Sequence, residues 1–439
     1  MAVLQNIWWY LVLIGVMILI HELGHYVAAR MFDVKVETFS FGFGPRLFGF
    51  RRGETDFRFS AILFGGYVKM AGDQPGEETS ADPRNLLAKP RWQRLIITFA
   101  GPAINVVLAI VILTGLFMQH FPKIATPPDP VVGYVAPDGA AAKAGIKAGD
   151  RVVQIDSIPN PTWDDIGVQI ISNAKRAVPV WVERGGQTLH LTLTPSLDDK
   201  EGVGVVDWTQ ESEVEVGSIS PGMAAAHAGL QHGDILVSAN GIPLRSIYKL
   251  DEIERATDGK PLDLVYLRNG VRHELTVQPA RADPTGTGQQ RWMIGLTVEP
   301  HVEIVKLSFP QAVVESLREN GRSAKMIFQF LERMVERRMS PKSIVGPVGI
   351  AQISGEMARE GPAAFLALMA AVSLNLAIFN LLPIPILDGG VIMMLLVEML
   401  MRRDLDLKIK EAVVKVGFVF LMMVVVFVIY NDISKMLPG

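Results

Sequence analysis

The sequence predicts a multi-pass α-helical membrane protein, with four transmembrane helices and two small β-rich domains held outside the bilayer. Three observations predict it. Four apolar stretches are each long enough to cross a hydrocarbon core, which takes about 20 residues. A segment of ordinary polarity, repeated within itself, lies between the second and third stretches. The chain of 439 residues carries only 20% charged residues and has a mean hydropathy of +0.28, although its 49% apolar content is ordinary. This much apolar material excludes disorder as the main state. A net charge of −3 gives no reason to expect nucleic acid as a partner. Cys is absent, so any metal must be held by His, Asp or Glu.

The first span covers residues 1–30 and has no charged residue before Glu22. Its first basic residue is Arg30, so it lacks the basic start of a signal peptide. Residues 31–94 form a loop rich in Arg and Lys, with short β segments expected at 39–45, 56–59 and 65–70. The second span is 95–120. An amphipathic, helical segment at 301–361 leads to the third span, 362–390. A segment at 391–411, with Arg402, Arg403, Lys408 and Lys410, precedes the fourth span at 412–432. Basic residues beside span ends mark the cytoplasmic side. The 31–94 and 391–411 segments are therefore expected inside, with both termini and the middle segment outside, in a periplasm if the cell is Gram-negative. The bilayer itself is thus an expected partner.

The middle segment contains a duplication. Residues 137–150 align without gaps on 221–234, and both copies end in Ala-Gly-φ-x-x-Gly-Asp. A period of about 84 residues suits two copies of a small domain rather than a solenoid, expected at 126–205 and 206–300. Each Gly-Asp is followed by a β-rich run, then by two strands around a Gly turn at Gly185-Gly186 or Asn269-Gly270. The duplicated pattern resembles a tandem of PDZ domains of the bacterial, protease-associated kind. That resemblance implies a groove able to take an extended peptide by strand addition. A steric cover that binds no peptide is an equal reading.

His21-Glu22-Leu23-Gly24-His25 is an H-E-x-x-H motif inside the first span. On a helix, residues four apart share a face, so both imidazoles can reach one ion, and Glu22 can serve its water as general base. Each ionisable residue at the centre of a span costs roughly 2.5–3.5 kcal/mol on the insertion scale. Three within five positions therefore call for a compensating partner. A catalytic zinc wants a third protein ligand and an open position. His120, His190, His227, His232, His273 and His301 fall in or beside the external segment, on the wrong side. The best candidate is Asp388, in Asn380-Leu381-Leu382-Pro383-Ile384-Pro385-Ile386-Leu387-Asp388-Gly389-Gly390. Pro383 and Pro385 interrupt the helix there, and irregular backbone at membrane depth is tolerated where it lines a protected cavity.

H-E-L-G-H in a first span, N-L-L-P-I-P-I-L-D-G-G in a third and paired PDZ domains between them resemble the site-2 protease family, matching its RseP-type Gram-negative members over essentially the whole chain. The resemblance implies one catalytic zinc ion held by His21, His25 and Asp388, with Glu22 as base. It implies intramembrane proteolysis of membrane-spanning substrates, an anti-sigma factor and remnant signal peptides, after another protease has made a first cut in the periplasm. It supports Asn380 as a hydrogen-bonding contact for an extended substrate, beside the unwound Pro383 and Pro385. Gly42, Gly44, Gly65, Gly66 and Tyr67, in the β segments, are further substrate-binding candidates; a plain cytoplasmic hairpin is the alternative. Gly101-Pro102-Ala103-Ile104-Asn105 matches a G-P-x-x-N pattern of the family, read as close helix packing with Asn105 lining the site. The rival from another class is a non-catalytic membrane scaffold whose PDZ pair binds peptides. It leaves the embedded H-E-x-x-H unexplained.

Overall fold

The structure is a computed structural model that describes residues 2–73, 82–119, 121–124, 129–283 and 290–436. Two compact units make it up: one of Met1–Phe121, Lys306–Phe328 and Ile344–Gly439, the other of Pro122–Val305 and Gln329–Ser343. His120 lies outside the described residues.

The first unit contains α1 (Ala2–Met31), α2 (Arg91–Met118), α3 (Pro347–Glu360), α4 (Pro362–Asn380), α5 (Asp388–Met401) and α6 (Leu407–Met436). Of these, α1, α2, α4 and α6 are long and apolar enough to cross a membrane, as the four expected spans require. Gly361, at φ 134°, ends α3, and Pro362 opens α4 at the position where its missing N–H costs nothing. The free N–H groups at the start of α3 are capped by the Asp432 carboxylate of α6, which accepts from Gly346 at 2.9 Å, Val348 at 3.0 Å and Gly349 at 3.1 Å. Leu13 and Met17 of α1 pack on Phe365 and Met369 of α4. Ala109 of α2 meets Ala370, Leu374 and Ile378 of α4, where small side chains allow the close approach that drives helix association in lipid.

The third expected span needs correction. Residues 362–390 are not one helix, and the first part of 391–411 is helical. The helix stops at Asn380, and α5 begins at Asp388. Pro383 and Pro385 have no N–H to extend the ladder. After them, an acid in the first turn and an apolar run are enough to start helix again. At 14 residues α5 is about 21 Å long, too short for a 30 Å core. The basic residues near 402–410 make the apolar stretch before them read as part of a polar segment. The fourth helix is correspondingly longer than expected, starting at Leu407.

The loop after α1 folds as a ribbon of β1 (Val36–Arg52) and β2 (Thr55–Met70). Residues 38–41 pair on one side with 66–69 and on the other with 56–59, which pair in turn with 48–51. The sharp reversal falls at Gly42 and Gly44, at φ 94° and 87°, and at Gly65, at φ 123°, conformations that favour glycine. The expected short segments are thus pieces of one bent sheet. It lies along α1: a side chain at Gly66 would press on Ile18 and Glu22, and one at Gly15 on Phe41.

The second unit holds the duplicated domains. In the first, strands Ile158–Pro159, Arg151–Ile155, Val178–Arg184 and Gln187–Leu193 form one sheet, and Val132–Val135 pairs with Trp208–Gln210. In the second, the sheet runs Val271–Val277, Leu262–Arg268, Ile235–Ala239, Val214–Ile219 and Leu296–Pro300. Each first strand pairs with its domain's last, so the expected boundary at 205/206 cuts the first domain short; it closes through Gln210. Each copy has its own core, around Ile155, Ile166 and Val180 in one and Leu236, Leu262 and Leu264 in the other. The repeated Gly-Asp has a shared physical cause. Asp150 is buried under Arg184, with Nε to Oδ1 and Nη2 to Oδ2 both at 2.6 Å, and accepts from Lys147 N–H at 2.8 Å. Asp234 is held identically by Arg268 at 2.8 Å and 2.8 Å and by Gln231 N–H at 2.8 Å.

Candidate active site

The H-E-x-x-H residues face α2 and the start of α5. His21 Nε2 and His25 Nε2 lie 3.2 Å apart. Asp388 approaches both, with Oδ2 3.1 Å from His21 Nε2 and Oδ1 3.5 Å from His25 Nε2. The ligand atoms of these three residues all fall within 4.8 Å of one another, the one such group among the described residues. Asp388 Oδ2 is buried without a hydrogen-bond partner. Two ring nitrogens and a carboxylate oxygen converging on one point, one of them unsatisfied, fit a divalent ion of borderline softness such as zinc.

Close backbone contacts bring the three together. A side chain at Gly24 would collide with the Ala100 carbonyl, and one at Gly101 with the rings of His25 and His21. These glycines let α1 and α2 touch where the imidazoles stand. His25 Nδ1 donates to the Ile97 carbonyl at 2.9 Å, which turns its Nε2 toward Asp388. Gly389 and Gly390 lie against the carbonyls of Leu381, Leu382 and Ile384, so α5 can begin directly beneath the Pro383–Pro385 turn. Ile386 holds φ at 84°, a strained value for a β-branched residue two positions before Asp388. Gly417 of α6 leaves room for Pro385.

Glu22 is partly buried beside Gly66, and the Val68 backbone is within hydrogen-bonding reach of its carboxylate. Gly65, Gly66 and Tyr67 therefore belong to the ribbon edge nearest the motif, and Tyr67 stacks on Phe43 at 6.0 Å between ring centres. Gly42 and Gly44 sit at the reversal, with backbone angles that favour glycine. Asn380 ends α4 half-buried, Pro383 is exposed and Pro385 is half-buried against Gly417. Asn105, read as lining the site within a close helix packing, is fully buried; its Nδ2 is 3.4 Å from His21 Nδ1 and its Oδ1 has no partner. His190, His227, His232, His273 and His301 all belong to the other unit.

Sequence reasoning missed the Ile97 carbonyl, which is main chain and leaves no trace in residue type. It also missed Glu398, the one acid inside the apolar run of α5, which is 1% exposed. Glu398 Oε1 receives Lys410 Nζ at 2.6 Å and Leu405 N–H at 3.0 Å, and Arg94 of α2 approaches Oε2 at 3.9 Å. This buried cluster ties the far end of α5 to α2. An acid placed alone in an apolar helix was the signal that could have found it.

The profile of peptidase family M50 matches residues 9–424. A Neisseria meningitidis protein with a provisional zinc metalloprotease name is 30% identical over 444 residues, 96% of this chain and 97% of that one. The regulator of sigma-E protease RseP of Salmonella typhimurium is 29% identical over 456 residues, covering 99% of this chain and 100% of its own. The RseP of Escherichia coli K12 is 29% identical over 451 residues, 97% and 98% of the two chains.

Proposed function

The chain belongs to peptidase family M50 and is a zinc metalloprotease of the site-2 type, and from that premise we propose that it cuts membrane-spanning segments of single-span proteins, using His21, His25 and Asp388 as zinc ligands and Glu22 as general base. The observation that carries the reading is the convergence of those three residues, with Asp388 Oδ2 unsatisfied, where His21 and His25 stand on a helix apolar enough to cross a membrane. A scaffold would gain nothing from such an arrangement and would bear its insertion cost.

Zinc, when bound, polarises the scissile carbonyl and brings the pKa of water toward neutrality. The chain's residues do the rest. Glu22 accepts the proton of the attacking water and returns it to the leaving amine, a role worth about 10²–10⁴ in rate. The neighbouring Val68 backbone orients its carboxylate. A helical peptide bond has its carbonyl engaged, so the substrate must unwind. The strand at residues 66–69, beside Glu22, offers an edge for the extended segment. Asn380 and the carbonyls around Pro383 and Pro385 offer further polar contacts. The duplicated domains act as PDZ-type modules on the periplasmic side, as peptide receptors or as a size filter. The likeness to the sigma-E regulators supports an inner-membrane setting, with the termini outside, the site toward the cytoplasmic face, and an anti-sigma factor or remnant signal peptides as substrates after a first cut outside.

Incubating the purified protein with one membrane-spanning and one soluble substrate tests this. Cleavage within the span, none of the soluble peptide, and loss of cleavage in Glu22→Gln are expected. Cleavage of the soluble peptide alone would overturn the reading.

A further inference from the structure

Glu398 stands where α5 alone would not keep an acid. It is 1% exposed, in an otherwise apolar stretch, and lies in the last turn of the helix. An anion is disfavoured at that end of the helix dipole, and a charge removed from water is costly unless paired. Its partners come from three places. Leu405 N–H, in the turn after α5, donates to Oε1 at 3.0 Å. Lys410 Nζ, near the start of α6, donates to the same oxygen at 2.6 Å. Nη2 of Arg94, on α2, stands 3.9 Å from Oε2. Arg94 is itself buried, and its Nη2 lies 3.3 Å from Asp404. Arg402, at φ 54°, ends α5 and turns the chain so that Leu405 reaches back to the acid.

The rest of α5 offers little to hold it. Besides Glu398, only Gly389, Gly390 and Leu395 are buried, while Leu396 is 51% and Leu400 86% exposed. Lipid is as apolar as leucine, so packing and polar bonds, not a hydrophobic force, must fix such a helix on its neighbour. At its other end α5 carries Asp388. On α2, the face that meets Glu398 through Arg94 continues through Ile97 and Gly101, both buried. Ile97 holds His25, and Gly101 lies against both imidazoles. Residues 94 to 101 of α2 span about 10 Å, and residues 388 to 398 of α5 about 15 Å. The two helices therefore pack in opposite senses, with the polar tie at one end and the ligand group at the other. We propose that Glu398 is a positioning residue. By fixing the far end of α5 on α2 and on the start of α6, it holds Asp388 at the point where His21 and His25 converge. The inference rests on Asp388 being a zinc ligand; Glu398 is no part of the ligand set and acts only through where α5 stands.

The test is a double-mutant cycle in zinc affinity, measured by chelator competition on the purified full-length protein, for the wild type, Glu398→Leu, Asp388→Ala and the double variant. Glu398→Leu is expected to lose about tenfold in affinity, the lower end of what outer supports of a metal ligand cost. In the Asp388→Ala background the same change should cost nothing, because the ligand it positions is gone. Undiminished affinity in Glu398→Leu, or an equal loss with and without Asp388, would overturn the proposal. Unchanged affinity in Asp388→Ala alone would instead overturn the ligand assignment itself. Kinetics give a second readout. With a membrane-spanning substrate, kcat of Glu398→Leu should fall while KM stays near wild type, since a misplaced reacting centre loses rate rather than ground-state binding; a rise in KM alone would contradict the proposal. Should Glu398→Leu fold poorly, Glu398→Gln keeps the volume and an acceptor for Leu405 N–H. It is expected to show a smaller loss of affinity, again abolished by Asp388→Ala; no loss, or one that persists there, would overturn the proposal.

Discussion

Asp150 and Asp234 lie buried in the duplicated domains, each under a two-pronged arginine and a backbone N–H. Asp388, in the membrane unit, faces two imidazole nitrogens and leaves Oδ2 without a hydrogen bond. All three are acids removed from water beside nitrogen-bearing partners, yet they serve different ends. A carboxylate whose oxygens are all claimed by its own chain has nothing left to offer and is structural. One that is brought to a point with two ring nitrogens and left short of a partner fits the ligand role proposed for it. The difference lies in completeness of bonding rather than in depth of burial.

That contrast can be broken by removing partners. The largest effect on stability is expected for Arg268→Ala, which strands Asp234. Stripping one partner from a buried pair costs roughly 3–5 kcal/mol, and the surviving Gln231 bond puts this case at the lower end. Hydrogen exchange over residues 214–300 should speed up accordingly; unchanged exchange would mean that the clamp is dispensable. An effect of about the same size, but dependent on pH, comes from an acid of the same domain whose bonding is partial. Glu254 is buried, accepts from Ile294 N–H at 3.2 Å, and burial pushes its pKa from 4.5 up to about 7. Because the folded state holds this proton more tightly, the associated stability is complete below about pH 4.5 and lost as pH rises through about 7, on the order of 3 kcal/mol. Exchange around residues 247–256 should report that loss, and Glu254→Gln should abolish it. The first domain has Ile170 one period earlier and should show no such window. The smallest effect is expected where the contrast is sharpest. Asp388→Leu, which removes a carboxylate the fold does not complete, should shift metal-free stability by less than about 1 kcal/mol, and a shift as large as that of Arg268→Ala would make Asp388 structural too.

The sequence carried the parts of this molecule that depend on residue type at fixed spacing. His21, Glu22 and His25 on one helix, the duplicated Gly-Asp and the four apolar helices were all legible, because period and polarity encode them directly. Asp388 was legible as the first acid after a long apolar run. The start of α5 was not, since an apolar stretch after two prolines reads equally as the tail of one span or as a new short helix. The Ile97 carbonyl was beyond reach because every residue has one. Arg184 and Arg268 stand 34 residues after their aspartates in both copies, a regularity that the duplication made available but that mattered only once the strands were paired. Asn105 reads as close helix packing beside the site, and its amide does lie 3.4 Å from His21 Nδ1; that it is fully buried there cannot be told from spacing.

Whether Asp388 holds a metal decides between an active site and a structural acid. Zinc content per chain, measured side by side for wild type, Glu22→Gln and Asp388→Asn after the same dialysis, tests this most directly. About one ion is expected in the wild type and in Glu22→Gln, with a marked loss in Asp388→Asn. Full zinc in Asp388→Asn, or its loss in Glu22→Gln, would contradict the assignment of ligand and base.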